Sequence, residues 1–324
     1  MFKLYRNLKN YFQTYHIIFM FKIGTDCSGI EAPIQAFKKL SKNHNIIFTH
    51  EFSSEVDEYA LKCIKSNYKP KIIYGDITKR DVKELPDIDV YVSGFPCQPF
   101  SRANKFKTKV DPRLNLFQNC LDVIFHCKPK IFILENVKTL VTLNNGSYFK
   151  EIINQLEENN IYNVNWKVLN TKDYGIPQSR ERLYFVGIRK DIMINDFQFP
   201  EKVSMKPLID FIDTSDKTKM KIKDNNIDLF NNIPDDSVFI DIGFRNSRFV
   251  NSNKWAPCIT AQPNMWCVPM KRKANIKEYL MLQGFPTNFI QPISDHQMKI
   301  KIGNSMTVNV IEKLLDQCLK VITI

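Results

Sequence analysis

The segment that decides the fold runs from residue 17 to residue 40 and reads IIFMFKIGTDCSGIEAPIQAFKKL. Its first part, Ile17 to Ile23, is an almost continuous apolar run, which is typical of a buried β-strand. The small and polar residues from Gly24 to Gly29 predict a turn. From Glu31 to Leu40 the apolar residues recur at helical spacing, so we expect a helix after the turn.

The same alternation of strand and helix continues along the chain. Further strands are predicted at Asn45–Thr49, Ile72–Ile73, Val90–Val92, Ile131–Leu134 and Leu183–Gly187. Helices are predicted at Val56–Ile64, Leu116–Phe125 and Ser147–Glu157. This order predicts an α/β protein with a mostly parallel sheet that is covered on both faces. Such sheets bind their ligands at the carboxyl ends of the strands, which is where the chemically suggestive residues of this chain fall.

The pattern changes after Arg189. Residues 191–264 are polar, include a cluster of lysines and show little periodicity, which indicates a small inserted domain or a set of loops. Helical spacing returns at 276–282 and at 308–319. We therefore expect a main domain built from residues 20–190 and 272–324, and a small irregular domain at 191–271.

Charge and cysteine content limit the class of protein. The 324 residues carry a net charge of +12, which favours a polyanionic partner such as nucleic acid. The eight cysteines form no CxxC pair and no Cys/His zinc spacing, so we expect no metal and a large intracellular protein, of cytoplasm or nucleus, with reduced thiols. No apolar run is long enough to span a bilayer, so no membrane contact is expected.

Residues 1–19 are interpreted as an N-terminal extension. They contain Lys3, Arg6 and Lys9 and no acid, but a transit peptide would have more Arg and Ser. Met20 is an alternative in-frame start. We expect a protein that begins at Met20 to retain activity, which would make the extension dispensable.

Three features at strand ends are compatible with a nucleoside cofactor. The turn before the first helix would let backbone amides approach a ligand, but it lacks the second and third glycines of a dinucleotide fingerprint, which argues against NAD. Glu55 follows the second strand and could accept hydrogen bonds from ribose hydroxyls, and Asp76 follows the third and could accept one from an adenine amino group. Each acid alone fits a solvated loop carboxylate equally well. Their order after successive strands favours the cofactor site.

Cys97 lies in the stretch Phe95-Pro96-Cys97-Gln98-Pro99, at the end of the predicted strand Val90–Val92. A lone cysteine is most often a small buried apolar residue, and a nucleophile needs a lowered pKa and access to substrate. Two further polar clusters flank later strands: Glu135-Asn136-Val137, and Gln178-Ser179-Arg180-Glu181-Arg182. These clusters favour a catalytic role for the cysteine.

Together these stretches resemble the fourth, sixth and eighth motifs of the DNA cytosine-C5 methyltransferases. Further stretches resemble other motifs of that family in the family's order: Gly75-Asp76-Ile77 the third, Lys277-Glu278 and Leu282-Gln283-Gly284-Phe285-Pro286 the ninth, and Gly303-Asn304-Ser305 the tenth. The resemblance extends from Ile23 to the C-terminus. It implies a Rossmann-like class I methyltransferase fold with a small, irregular target-recognition domain.

The resemblance also implies the chemistry. Cys97 would attack C6 of a cytosine flipped out of double-stranded DNA, and C5 would then take a methyl group from S-adenosylmethionine. Glu135 would hydrogen-bond N3 of the base, and Arg182 would hold O2. Gln98, Ser101 and Arg180 would contact the DNA backbone or brace the site, although ordinary loop polarity explains them equally well.

By the same resemblance a set of residues surrounds S-adenosylmethionine: Cys27, Ser28, Gly29, Ile30, Glu55, Val56, Asp76, Ile77, Pro96, Leu116, Asn304 and Ser305. The chain departs from the family at several positions. The family often has an aromatic residue where Cys27 stands and glycines where Glu31 and Ala32 stand, and its fifth motif usually has glycine where Leu114 follows Arg113. These departures affect the cofactor side and leave the catalytic groups in place.

The DNA-reading residues are expected in the small domain at 191–271. Candidates are Arg245, Asn246 and Arg248, with phosphate contact alone as the alternative. Cys258 stands where the family commonly has a threonine near the flipped nucleotide, so it is a further candidate for DNA contact. We expect a monomer, and a cognate restriction endonuclease is a candidate partner.

Two other functions remain open at this point. The first is a tRNA cytosine methyltransferase of the related branch, whose Cys-Phe-Thr signature is absent from this sequence. The second is a catalytically silent homologue that only binds nucleic acid. The presence of Cys97, Glu135, Arg180 and Arg182 argues against it, because a silent copy would be expected to lose one of them.

Overall fold

The structure is a computed structural model that describes residues 19–44, 46–96, 115–220, 230, 233–243, 253–262 and 264–323. Its strands are β1 Phe19–Asp26, β2 Ile46–Ser54, β3 Ile72–Tyr74, β4 Val90–Ser93, β5 Ile131–Val137, β6 Tyr162–Asn170, β7 Glu181–Arg189, β8 Phe239–Asp241, β9 Met265–Cys267 and β10 Arg272–Lys273. Its helices of seven residues or more are α1 Ala32–Asn43, α2 Glu58–Asn67, α3 Asn115–Cys127, α4 Ser147–Glu157, α5 Ile276–Leu282, α6 Asp295–Asn304 and α7 Val308–Lys320.

The larger sheet has seven strands, in the order β3-β2-β1-β4-β5-β7-β6. The first five strands in this order are mutually parallel, and β7 runs antiparallel to both of its neighbours. The predicted α/β fold with a mostly parallel sheet is therefore confirmed.

The sheet departs from the sequence prediction at β6 and β7. The strand β6 was not predicted, because its sequence YNVNWKVLN mixes polar and apolar residues along an edge of the sheet that is only partly buried. It continues through a short connection into β7, which inserts between β5 and β6. The chain thus reverses direction at β7, and the first residues of β7 lie at the same edge of the sheet as the carboxyl ends of the parallel strands.

Helices cover both faces of the sheet. Successive residues of a strand point to opposite faces, so each buried strand contributes side chains to two apolar cores. In β5, Ile131 and Ile133 belong to the apolar core that α1 and α7 cover. Phe132 and Leu134 belong to the core on the other face, which α3 and α4 cover. All four β5 side chains are fully buried, so the sheet is a rigid platform for the residues at its ends.

The strands β8, β9 and β10 form a small antiparallel sheet. Two of them lie within residues 191–271, and β10 begins at Arg272. The buried Arg272 guanidinium donates to both carboxylate oxygens of Glu278, at 2.9 Å each, and so ties the small sheet to α5. Within the ranges described, no helix is long and apolar enough to cross a membrane.

Candidate active site

A cavity of about 770 Å³ opens at the carboxyl ends of the parallel strands. It is lined by the residues that follow β1 to β4, by the end of β5, by the start of β7, and by a segment between β8 and β9. Its lining includes Cys27, Gly29, Glu55, Val56, Asp76, Ile77, Pro96, Leu116, Glu135, Arg180, Arg182 and Asn304. Most of the residues predicted to bind a cofactor and three predicted to be catalytic thus meet in one cleft.

The turn between β1 and α1 forms one wall of the cavity. Cys27, Gly29 and Glu31 all have positive φ angles, of 49°, 55° and 64°. Around Gly29 no atom lies within 4 Å of the position that a Cβ would occupy, so the backbone there is open towards the cleft. Burial raises the pKa of the Cys27 thiol well above its usual value, which favours the neutral thiol over the thiolate.

Glu55 connects this turn to the end of β2. Its Oε2 accepts a hydrogen bond from the Gly29 backbone N–H at 2.7 Å, and its Oε1 accepts from the N–H groups of Val56 and Asp57 at 2.9 Å each. A carboxylate has about four acceptor positions, so Glu55 retains capacity for a ligand hydroxyl. Desolvation raises the pKa of Glu55, although the three backbone N–H groups favour its charged form.

Asp76 caps the short helical turn Ile77–Lys79 after β3. Its Oδ1 accepts from the backbone N–H and the hydroxyl of Thr78, at 3.0 and 2.8 Å. These hydrogen bonds lower the pKa of Asp76. Its Oδ2 lies 3.8 Å from the Lys79 ammonium and has no hydrogen bond within the described part of the chain, so a ligand amino group can reach it.

Three residues predicted to bind the cofactor do not line the cavity. Ser28 is buried and hydrogen-bonded to the end of β2, Ile30 lies in the apolar core, and Ser305 is buried behind Asn304. They therefore support the wall of the cleft from behind.

Glu135 and Arg182 face each other deeper in the cleft. Arg182 Nε lies 3.2 Å from Glu135 Oε1, and both side chains are less than one-fifth exposed. No hydrogen bond from the described residues reaches Oε1, so this oxygen is buried without a donor. Burial raises the pKa of Glu135, while the positive charges of Arg182 and Arg180 oppose the shift. The pair can therefore offer a proton and a cation to a polar ligand.

Arg180 acts as an internal brace. Its Nη1 donates to the Ile259 carbonyl and its Nη2 to the Ser305 carbonyl, at 2.7 Å each, and the residue is only 3% exposed. The segment 256–260 and the turn after α6 are thus tied to the start of β7. Arg180 was expected to contact the DNA backbone or to brace the site, with ordinary loop polarity as the alternative, and it stays a prediction that this residue serves catalysis.

The cysteine at 258 lies beside this brace. Its Sγ is 3.8 Å from Arg180 Nη1, and the residue is partly exposed. It borders a small depression with Asp241 and Tyr279 rather than the main cavity.

Three buried groups that were not predicted as site residues also shape the cleft. Asn136 Nδ2 donates to the Phe95 carbonyl at 3.0 Å and so fixes the chain just before Cys97. Gln178 connects the Leu282 carbonyl to the Ile259 N–H, at 2.6 and 3.0 Å. These two residues stood within the quoted motifs, which could have indicated them. The third group, Arg80, has no such signal.

Arg80 lies at the ends of β1 and β2. Its guanidinium forms a bidentate ion pair with Asp26 at 2.8 Å and donates to Ser54 Oγ at 2.6 Å. It therefore locks the ends of β1 and β2 together. Its partners lie 54 and 26 residues away in the chain, so no local pattern indicates the role.

Several predicted residues lie outside the described part of the chain. They are Cys97, Gln98, Ser101, Arg113, Leu114, Arg245, Asn246 and Arg248. The chain that the structure describes reaches Pro96 on one side and resumes at Asn115 on the other.

Comparison with known proteins identifies a family. A family model described as C-5 cytosine-specific DNA methylase matches residues 26–320. The type II methyltransferase M1.ScrFI of Lactococcus lactis subsp. cremoris is 36% identical over 282 residues, which are 84% of this chain and 72% of the relative. The type II methyltransferase M.NlaX of Neisseria lactamica is 34% identical over 312 residues, which are 92% of this chain and 96% of the relative.

Solved structures show the same fold. The S. pombe Dnmt2 methyltransferase superposes with a TM-score of 0.71 at 18% identity, covering 93% of this chain and 98% of that one. The Entamoeba histolytica methyltransferase EhMeth superposes with a TM-score of 0.67 at 22% identity, with coverage of 93% and 98%.

Proposed function

Because the chain belongs to the family of C-5 cytosine-specific DNA methylases, we propose that it transfers a methyl group from S-adenosylmethionine to C5 of cytosine within a specific sequence of double-stranded DNA. The observation that carries this proposal is the single cleft that joins Glu55 and Asp76 to the Glu135–Arg182 pair. It combines acceptors for a nucleoside with a proton donor and a cation for a base.

The cofactor side of the cleft fits S-adenosylmethionine. The cavity of about 770 Å³ has the size of a small-molecule site. Glu55 would hold the ribose hydroxyls with its remaining acceptor capacity, and Asp76 would accept from the adenine amino group through Oδ2. When bound, the cofactor supplies an electrophilic methyl group on a sulfonium centre.

Cys97 makes the target carbon reactive. Its thiolate adds to C6 of cytosine, a bond forms between sulfur and C6, and the electron pair of the C5–C6 double bond becomes available at C5. C5 would then take the sulfonium methyl group as the bond between sulfur and that methyl group breaks, and S-adenosylhomocysteine would leave. A base or water then removes the C5 proton, the double bond forms again, and the thiolate leaves. No group is oxidised or reduced within the base.

Glu135 and Arg182 stabilise the charge that develops on the ring. A protonated Glu135 donates to N3, and its raised pKa favours that form. Arg182 holds O2 and remains charged beside Glu135. Arg180, two residues before Arg182, ties the start of β7 to the segment 256–260. The cytosine must leave the DNA stack to enter this cleft, so base flipping is part of the proposal.

We assign catalysis to residues 20–190 and 272–324 and DNA sequence recognition to residues 191–271. The hydrogen bond from Arg180 to the Ile259 carbonyl supports this division, since it fixes one edge of residues 191–271 near Glu135 and Arg182. Arg245, Arg248 and Cys258 are its candidate DNA contacts, with Gln98 and Ser101 on the catalytic side. The enzyme would act as a monomer, and a cognate restriction endonuclease is its candidate partner.

Expression in a methylation-deficient host, followed by bisulfite sequencing of the host DNA, tests this function. We expect 5-methylcytosine within one short sequence. Exchange of residues 191–271 for those of a relative should change the DNA sequence that is methylated and leave the methyl-transfer activity intact. Unmethylated DNA at every site in a host that contains the folded protein would overturn the proposal.

A further inference from the structure

Glu31 is a fully buried acid directly behind the cofactor turn. Its side chain is 0% exposed, and its backbone adopts a left-handed conformation with φ 64° and ψ 52° at the start of α1. This conformation favours glycine, and a residue with a Cβ is sterically strained in it. A buried carboxylate in a strained position needs strong hydrogen-bond partners, because its desolvation and its left-handed backbone conformation both cost free energy.

The partners of Glu31 come from the two strands that carry the cofactor site. Its Oε1 accepts from Thr25 Oγ1 of β1 at 2.7 Å and from Ser53 Oγ of β2 at 2.6 Å. His50 of β2 is also buried, and its Nε2 lies 3.4 Å from the same oxygen. The other carboxylate oxygen of Glu31, Oε2, has no hydrogen bond within the described residues. One carboxylate oxygen therefore joins β1 to β2 just before both strands end.

The hydrogen bonds continue from Glu31 to the wall of the cavity. Thr25 Oγ1 lies 2.8 Å from Ser28 Oγ, which accepts from the Ser54 N–H at 3.1 Å. Ser28 N–H in turn donates to the Ser54 carbonyl at 3.1 Å. The next residues in the chain after Ser28 and Ser54 are Gly29 and Glu55, which are hydrogen-bonded to each other and line the cavity.

We propose that Glu31 is a positioning residue for S-adenosylmethionine. Its carboxylate clamps the β1–α1 turn against the end of β2, so that the Gly29 backbone and the Glu55 carboxylate are held in the arrangement that receives the nucleoside. The inference rests on the proposed function, because it names the residue that sets the affinity of that cofactor site.

The substitutions Glu31→Gln, Glu31→Ala and Glu31→Gly separate the side chain from the strained backbone. Glutamine keeps an oxygen that accepts from Thr25 and Ser53. Alanine removes the carboxylate and keeps the strain, and glycine removes both. Glu51→Gln is the matched control, because Glu51 is a buried acid of β2, the strand that contains Ser53, and it pairs with Thr49 and Lys71 away from the turn.

The dissociation constant of S-adenosylmethionine is measured by calorimetry on the full chain without DNA, together with the thermal unfolding midpoint. We expect Ala and Gly at position 31 to weaken binding about tenfold or more, since hydrogen bonds to a charged group are lost. Gln should remain within about threefold of wild type, as should the Glu51→Gln control. In turnover with DNA, KM for the cofactor should rise in the Ala and Gly variants while kcat at saturation changes little.

Wild-type affinity in the Glu31→Gly protein would overturn the inference, whatever its unfolding midpoint. If the Ala and Gly variants do not fold, Thr25→Val and Ser53→Ala each remove one donor and must weaken binding in the same assay. Unchanged binding in both would also overturn it. A wild-type protein that binds no S-adenosylmethionine would instead contradict the proposed function, so the two failures are distinct.

Discussion

Arg182 Nε lies 3.2 Å from Glu135 Oε1, although the two residues are not opposite each other in the sheet. Arg182 pairs with Val137 in the antiparallel register of β5 and β7, and Glu135 pairs with Tyr184. The two residues are therefore diagonal neighbours on one face, where long side chains can meet. This contact depends on the reversed direction of β7 and brings an acid and a cation to the end of the parallel strands.

Replacement of Glu135 by glutamine is expected to lower kcat by about 10² or more, because an amide cannot transfer a proton to N3 as the charge develops. Burial raises the pKa of Glu135, and activity that requires the protonated acid falls as pH rises through that pKa. Steady-state kinetics against pH should show this alkaline decline in the wild type. The glutamine variant should lack it, and a variant with wild-type kcat would refute the role.

Replacement of Cys97 by serine is expected to abolish methyl transfer, since an alcohol is a far weaker nucleophile than a thiolate at neutral pH. Cofactor and DNA should still bind, because the acceptors proposed for the nucleoside are the carboxylates of Glu55 and Asp76. Transfer of a labelled methyl group and calorimetry measure the two properties separately. Cys27→Ser is a suitable comparison, since the Cys27 thiol is held neutral and should not be the nucleophile. Turnover in the Cys97→Ser protein would refute the mechanism.

The affinity for S-adenosylmethionine should fall at acidic pH because of Glu55. The ionised carboxylate is the form that accepts the ribose hydroxyls, and desolvation raises its pKa above the ordinary value for glutamate. Binding should therefore weaken as pH falls through that raised pKa. Calorimetric titrations over a pH series measure the effect. The Glu55→Gln protein should bind more weakly and with a flatter pH dependence; an equally steep decline in that variant would assign the titration to another group.

Loss of the Asn136 side-chain amide should impair catalysis more than cofactor binding. Asn136 Nδ2 holds the Phe95 carbonyl, two residues before Cys97, and the donor is buried. We expect Asn136→Ala to lower kcat about tenfold or more, since a misplaced nucleophile loses the advantage of fixed geometry. The dissociation constant of the cofactor should stay near the wild-type value. A variant with reduced cofactor affinity and unchanged kcat would contradict this role.

The local patterns of the chain predicted much of the fold. The helices Ser147–Glu157 and Ile276–Leu282 lie where their spacing placed them, because an amphipathic face is a property of neighbouring residues. The edge strand β6 was missed because its partly exposed residues show no clear alternation of polar and apolar side chains. The ordered motifs predicted the family, and the acids at successive strand ends pointed to one cleft.

Contacts between distant residues were decided by the tertiary structure alone. Glu31 stood in the sequence only as an acid where glycine is common, and its burial and its clamp between Thr25 and Ser53 become visible when β1 lies beside β2. Arg180 became a brace through carbonyl groups 79 and 125 residues away. The sequence by itself determined the strand–turn–helix beginning, the alternating architecture and the order of the motifs, because spacing and residue type act locally. Only the folded chain decided which buried polar groups satisfy one another, because hydrogen-bond partners are selected by proximity in space.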